Sequence, residues 1–293
     1  MIDLHIHTNA SSDGQHKPRE IFEMAREERL RAIAFADHNS IDNVEEGLKL
    51  SLEFGIEFIP SLELNTFYEG LDLHILGYFI DPSDLLLKEW LKEIHLKKWE
   101  QAEKRVLKLN ELGFVFSWDD LRKFSGNQIP TGMSFLQAIL SRPENANDPR
   151  LHPYIKGDRS NSPYVNFYRD YLRGGKPAFV PMEDISTPEA IQRLKSLGSI
   201  PILAHPSDTG EDKIINLISY GLAGLEVYSP YHNKQEQEAF QALAERHGLL
   251  ITAGSDFHGK QVKPDVDLGG IAGNNYDLVS RLKEFLRNER GRY

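Results

Sequence analysis

A chain of 293 residues, 40% of them apolar, is long enough for one large α/β domain or for a domain with an insertion, and it holds no cysteine. That excludes disulfides, thiolate metal sites and a cysteine nucleophile, so any metal must be held by His, Asp and Glu. A formal net charge of −10 and a pI near 5.6 argue against capture of long nucleic acid, which needs a basic stripe, but leave a small phosphorylated substrate open.

The opening MIDLHIHTNASSDG carries histidine within five residues and no long apolar stretch, so it does not read as a signal or transit peptide. No run reaches the length of a membrane span, and a cytoplasmic protein with no membrane partner is the expectation. Short apolar or β-branched runs then alternate with helical patterns, which is the mark of βα units and a mostly parallel sheet. Strands are expected near Asp3–Ile6, Ala32–Ala36, Glu57–Leu62, Leu73–Phe79, Ile200–Ala204, Gly224–Tyr228 and Leu249–Ala253. Helices are expected over Pro18–Arg29, Ser40–Phe54, Pro188–Ser196, Asp212–Ser219, Lys234–His247 and Asp277–Glu289, with Pro18 and Pro188 where a helix start tolerates proline.

Between Asp81 and about Pro177 the alternation stops. Asp84–Gly113 reads as one or two long amphipathic helices, and Arg142–Tyr164, rich in Pro, Asn and Asp, as irregular loop. The expected organisation is a barrel-type domain from residues 1–82 and 177–293, with a mainly helical insertion, 83–176, covering its mouth.

Histidines and acids gather at one kind of place along this chain. His5 and His7 are two apart on a strand and so share a face. Asp13 follows in SSDG, and Asp37-His38 ends the second expected strand. Glu63 ends the third, and His74 lies in LDLHILGYFID. His205 ends ILAHP, while Asp256 and His258 lie in GSDFHG. Nearly all fall at or just past the C-terminal end of an expected strand, where barrels of parallel strands place their active sites. A core histidine is the ordinary reading of any one of them, but not of nine residues on one rim.

HxHxxxSSDG, ADH, the strand-ending Glu63, HILGYFID, LAHP and GSDFHG together resemble the PHP-domain phosphoesterases. The nearest likeness is to the small bacterial subgroup with nucleotide phosphatases and short-RNA exonucleases. The likeness runs through residues 1–82 and about 176–260. It implies a distorted (β/α)7 barrel and two to three divalent ions, manganese foremost, with iron, zinc or magnesium as the others. One ion would be held by His5, His7, Glu63 and Asp256. A second would share Glu63 with His74 and His205, and Asp13, His38 and His258 would hold a third. The implied reaction is hydrolysis of a phosphomonoester or phosphodiester by a metal-bridging hydroxide, on a nucleotide or short oligonucleotide. Asp37 is expected to orient a ligand or water, and His205 is a candidate proton carrier.

Two positions depart from the family's pattern: Asn39 where relatives often carry Asp, and IPTGMSFLQAIL (Ile129–Leu140) where they tend to carry an Arg-His helix start. Among weaker signals, His232 in EVYSPYHN is a candidate contact to phosphate or base. Arg142, Arg159 and Arg169 are candidate phosphate contacts, each more often an ordinary surface arginine. Tyr164, Phe167 and Tyr168 are read as packing, and His16, His95, His152 and His247 as surface or packing residues. The rival readings are a non-nucleotide phosphatase, an amidohydrolase-type barrel, which also begins with HxH, and a regulatory module with purely structural metals. Oligomeric state is not legible.

Overall fold

A computed structural model of the chain describes residues 1–181 and 185–290. Its first sheet is parallel and three-stranded, in the order β1 (Ile2–Ile6), β2 (Ala32–Phe35), β3 (Glu57–Phe58). α1 (Pro18–Glu27) and α2 (Val44–Phe54) are the crossovers. Pro18 opens α1, where its missing N–H is no loss, and Gly55 at φ 67° closes α2 in the left-handed turn that glycine favours.

The next strand departs from the expectation of one element over Glu57–Leu62. The chain breaks at Ile59-Pro60 and re-enters as β4 (Ser61–Tyr68), which turns through Glu69-Gly70 into β5 (Leu71–Tyr78). Both turn residues have positive φ, 46° and 85°, which gives a two-residue hairpin its right-handed twist. β5 is antiparallel to β4 and also to β6 (Ile200–Leu203), so the sheet is mixed rather than mostly parallel. Parallel pairing resumes through β7 (Gly224–Tyr228) and β8 (Leu250–Ala253). Isolated parallel bridges His38↔Glu63 and Ile6↔Phe257 link this five-stranded sheet to the first at both edges.

From β5 the chain enters a helical block. α3 (Leu85–Glu111) is one 27-residue helix, capped by Asp84, whose carboxylate accepts from Leu86 N at 2.7 Å. α4 (Trp118–Ser125), α5 (Gly132–Leu140), α6 (His152–Lys156) and α7 (Pro163–Phe167) follow. The stretch expected as loop thus carries short helices. Pro153 and Pro163 sit in their first turns, where a proline starts a helix as readily as it ends one. The block has its own core of Phe114, Leu121, Phe135, Leu136, Ile139 and Phe167.

α8 (Thr187–Ser196), α9 (Glu211–Ser219), α10 (Lys234–His247) and α11 (Asp277–Arg290) complete the chain close to their expected bounds. α10 starts on a capping box in which Asn233 and Glu236 satisfy each other's backbone N–H. One core takes Leu4, Ala34, Leu76 and Ile202 from both sheets and is closed by Leu278, Val279 and Leu282 of α11. The strand ends are thereby held in fixed relation before any ligand is considered. Among the described residues no helix is long and apolar enough to cross a membrane.

Candidate metal centre

Strand alternation puts His5 on one face of β1, and His7, just beyond it, is pinned by its N–H donating to Phe257 O at 2.8 Å. Both rings are fully buried. His5 Nε2 lies 3.2 Å from His7 Nε2, 3.4 Å from Glu63 Oε1 and 3.5 Å from Asp256 Oδ1. His7 Nε2 is 3.2 Å from the same Asp256 oxygen and 3.4 Å from Glu63 Oε2. Glu63, itself fully buried, also meets His38 Nδ1 at 2.8 Å, His74 Nδ1 at 2.9 Å and His205 Nε2 at 3.4 Å. On the far side of His7, His258 stacks on its ring at 3.8 Å, and Asp13 Oδ2 is 3.9 Å from both His38 Nε2 and His258 Nε2.

The fold therefore brings all nine residues singled out in the sequence to one place. Three sets offer ligand atoms within 4.8 Å of one another: His5, His7 and Asp256; His38, Glu63 and His74; and His7, Asp13, His38 and His258. His7 and His38 each serve two sets, which the sequence did not suggest. His205 reaches the cluster through Glu63. The position of Glu63 also differs from its expected place. It is the third residue of the eight in β4, not a strand end, and it faces the site because β4 bridges to His38 there.

Backbone strain concentrates here. Of the six described non-glycine residues with positive φ, three are at the site: Asn39 (51°), His205 (29°) and Asp256 (54°). Such conformations cost free energy and persist where the surroundings fix them. Asn39 is fixed by donating to Asn65 Oδ1, and Asn65 in turn donates to His74 Nε2 at 2.9 Å.

A shell of residues holds the cluster. Asp37 accepts from Thr8 N and Thr8 Oγ1, both at 2.7 Å, and from Ser11 Oγ at 3.1 Å; Ser11 Oγ lies 3.3 Å from His7 Nδ1. Asp37 thus reaches the histidines only through these hydroxyls, and burial raises its pKa to about 6. Several members of the shell were not foreseen. Glu226 Oε1 lies 2.9 Å from His5 Nδ1, and its other oxygen accepts from His205 N at 3.0 Å. Asp3 accepts from Ser255 N, Ser255 Oγ and Gly269 N, tying β1 to the loop after β8. Tyr231 OH donates to Asp256 Oδ2 at 2.7 Å, and Lys263 Nζ pairs with the same oxygen at 2.5 Å. The available signal was a carboxylate inside an apolar strand run, as in GLEVY and IDLHI.

The donor set suits divalent cations. Burial works against a charged Glu63, yet His74, His5 and His38 hold its carboxyl well below the usual carboxylate range. Asp256 is likewise held low against burial, mainly by Lys263. Within this cluster Glu63 Oε2, 2.8 Å from His38 Nδ1, and Asp13 Oδ1 are buried carboxylate oxygens with no hydrogen bond. Ionised oxygens without donors, among imidazoles, are what hard or borderline cations such as Mn, Fe, Zn or Mg bind.

Above the buried floor opens a cavity of about 430 Å³, in the range of small-molecule sites. Asp13, His38, His74, His205, Asp256 and His258 line it on the strand side, and α3, the start of α5 and Arg169 line it from the helical block. The other two candidate arginines, Arg142 and Arg159, and His232 do not line it. Arg142 pairs with Asp120, which caps α4, and Arg159 pairs with Asp170. His232 is buried, its Nδ1 2.8 Å from Val227 O and its ring 5.0 Å from Phe240, so it is neither a surface residue nor a wall of the cavity. Arg142→Ala is accordingly expected to lower the melting temperature, because the buried Asp120 carboxylate loses its guanidinium partner, and to leave KM for any ligand of this cavity unchanged. A raised KM at unchanged stability would return Arg142 to the site.

Residues 3–287 match the family described as the PHP domain. The chain is 28% identical to a 3′,5′-nucleoside bisphosphate phosphatase of Chromobacterium violaceum, over 88% of this chain and 87% of that one. It is 26% identical to a 5′-3′ exoribonuclease of Haemophilus influenzae, over 96% of each. A proposed metal-dependent phosphoesterase of Bifidobacterium adolescentis superposes with a TM-score of 0.74 at 25% identity, over 96% of this chain and 94% of that one.

Proposed function

Because this chain belongs to the PHP-domain family, we propose that its nine clustered ligands hold up to three divalent ions and hydrolyse a nucleotide or short oligonucleotide. It is a metal-dependent phosphoester hydrolase. The observation that carries the finer reading is Glu63, one buried carboxylate in reach of imidazoles from β1, β4's neighbours and β6 at once. A carboxylate so placed is suited to join two ions, with His5, His7 and Asp256 on one side and His74 and His205 on the other. Asp13, His38 and His258 make the third set. Such ions acidify water and neutralise charge on phosphoryl oxygens, the two demands of phosphoester hydrolysis.

The protein's own groups do the rest. Glu226 fixes the His5 ring by its Nδ1, leaving Nε2 for the ion, and Asp37 orders the Thr8–Ser11 turn behind His7. The bridged sheets are read as one distorted barrel, and residues 83–176 as an insertion that walls the cavity and sets specificity. The relatives act on a nucleoside bisphosphate and on RNA, which supports the nucleotide reading.

Phosphate release from 5′-monophosphates, 3′,5′-bisphosphates and di- to pentanucleotides, with Mn2+, Zn2+ or Mg2+ added and metal content measured, tests this. Release from nucleotides is expected. Release only from non-nucleotide phosphoesters would overturn the substrate class. Glu226→Gln keeps the shape but removes the charge behind His5, and a 10–100-fold weaker metal affinity in a metal titration is expected, about the cost of losing such a support. Unchanged affinity would show that Glu226 only fills space.

A further inference from the structure

A histidine that holds an ion presents one bare ring nitrogen to it. The other nitrogen carries the proton and needs an acceptor behind it. Three of the clustered histidines are backed in that way. His5 Nδ1 meets Glu226 Oε1 at 2.9 Å, and His258 Nδ1 meets Asp256 O at 2.9 Å. His7 Nδ1 lies 3.3 Å from Ser11 Oγ, whose own proton goes to Asp37 Oδ1, so the hydroxyl faces His7 as an acceptor. Each of these rings turns a bare Nε2 to the cluster.

His74 is the exception. It turns Nδ1 to the cluster, 2.9 Å from Glu63 Oε1. Its Nε2 meets, at 2.9 Å, the carboxamide of Asn65, its directly paired neighbour across the β4–β5 hairpin. Which end of that carboxamide faces His74 is settled by a backbone group that cannot turn round. Asn65 N–H donates to the Asn39 side chain at 3.1 Å, so the Asn39 atom there is Oδ1. Asn39 itself is pinned at φ 51° by its own N–H, which donates to Glu63 O at 2.7 Å. Its Nδ2 therefore faces Asn65 Oδ1, at 2.5 Å, and Asn65 Nδ2 is left to donate to His74 Nε2. A donor stands where the other three rings have an acceptor. The bare nitrogen of His74 thus points away from the cluster, and its proton sits on Nδ1.

We propose that Asn39 is a positioning residue that acts through Asn65 to keep the His74 proton on Nδ1, so that the site of Glu63, His74 and His205 binds its ion more weakly than the site of His5, His7 and Asp256. This rests on the ion assignment proposed above and ranks the sites within it. Releasing Nδ1 requires the Asn65 carboxamide to turn over, which sets its Nδ2 against Asn39 Nδ2, donor against donor. His5, His7 and His258 meet no such opposition. Aspartate at position 39 accepts from both Asn65 N and Asn65 Nδ2, which turns Asn65 Oδ1 to His74 and frees Nδ1. Glycine tolerates the same φ and lifts the block without adding charge.

The test reads the tautomer and the ions separately, on the full chain. Nuclear magnetic resonance of chelated protein with isotope-labelled histidine, assigned by the signal lost in His74→Gln, is expected to show the His74 proton on Nδ1. In Asn39→Asp it should move to Nε2. Equilibrium dialysis against Mn2+ then resolves the binding steps. The step lost in His74→Gln should be about tenfold or more weaker than the tightest step of the wild type. It should tighten about tenfold in Asn39→Asp and by a smaller factor in Asn39→Gly, with the tightest step changing less. Asn39→Gly separates the hydrogen-bond effect from the added charge, and it carries the test if Asn39→Asp does not fold. A wild-type His74 with its proton on Nε2 would overturn the proposal. So would equal tightening of every step in Asn39→Asp with none in Asn39→Gly. Mn2+ steps ranked as expected in protein that releases no phosphate would sink the hydrolase reading alone, and protein that binds no Mn2+ would overturn both.

Discussion

Glu63→Gln is expected to lower metal-dependent phosphate release by about 10³-fold or more and to reduce bound metal in the same sample. The amide keeps the size of the carboxylate and removes its charge, at the one position in reach of His5, His7, His38, His74 and His205 together. Losing a single group that stabilises the transition-state charge already costs about 10²–10³ in kcat, and here an ion would be lost or misplaced with it. The fold should survive, because the strands around Glu63 are held by apolar cores rather than by the cluster. Elemental analysis, circular dichroism and kcat on one preparation check this. Full metal content with turnover within tenfold of the wild type would show that Glu63 does not join the ions.

The candidate ligands were legible because they come as local phrases, DLHIH, ADH, LAHP and GSDFH, each closing an apolar run. The strand periodicity of two then sends His5 and His7 the same way without knowledge of the fold. The β4–β5 hairpin was not legible in the same way. Its turn is Glu69-Gly70 rather than the Asn-Gly or Asp-Gly that marks such turns, and Pro60 ended the preceding strand early. As a result Glu63 was expected at a strand end and the sheet as mostly parallel, while the true strand runs five residues further.

Supporting charges were harder to see than ligands because their partners are distant in the chain. Glu226 meets His5 across 221 positions, and Asp3 meets Ser255 across 252. Only the presence of an acid inside a buried strand hinted at them. The arginines show the converse. Arg142 and Arg159 sit in the right segment, but Asp120 and Asp170 lie near them in space and engage them. Arg105, which has no carboxylate in ion-pair distance among the described residues, was hidden inside a helix whose apolar and charged residues suggested ordinary packing.

Removing the metal is expected to abolish turnover while leaving the secondary structure in place. In small metal-folded domains the ions replace a missing core and chelation unfolds the chain. Here Leu4, Ala34, Leu76, Ile202 and α11 fill one core, and Phe22, Phe35, Leu62 and Ile191 belong to another, apolar cores buried without an ion. Ions held there are expected to bind the folded state only, since no unfolded chain gathers nine candidate ligands from six strands. At a hundredfold excess over Kd one such site contributes ~2.7 kcal/mol, which for a chain of this size is a loss of about 4 °C in Tm on chelation. Treatment with EDTA, removal of the chelator and return of Mn2+ should therefore take turnover to background and back, with an unchanged far-ultraviolet spectrum throughout. Turnover that persists in protein shown to be metal-free would refute the metal centre. Unfolding on chelation would show instead that the cores do not stand without it.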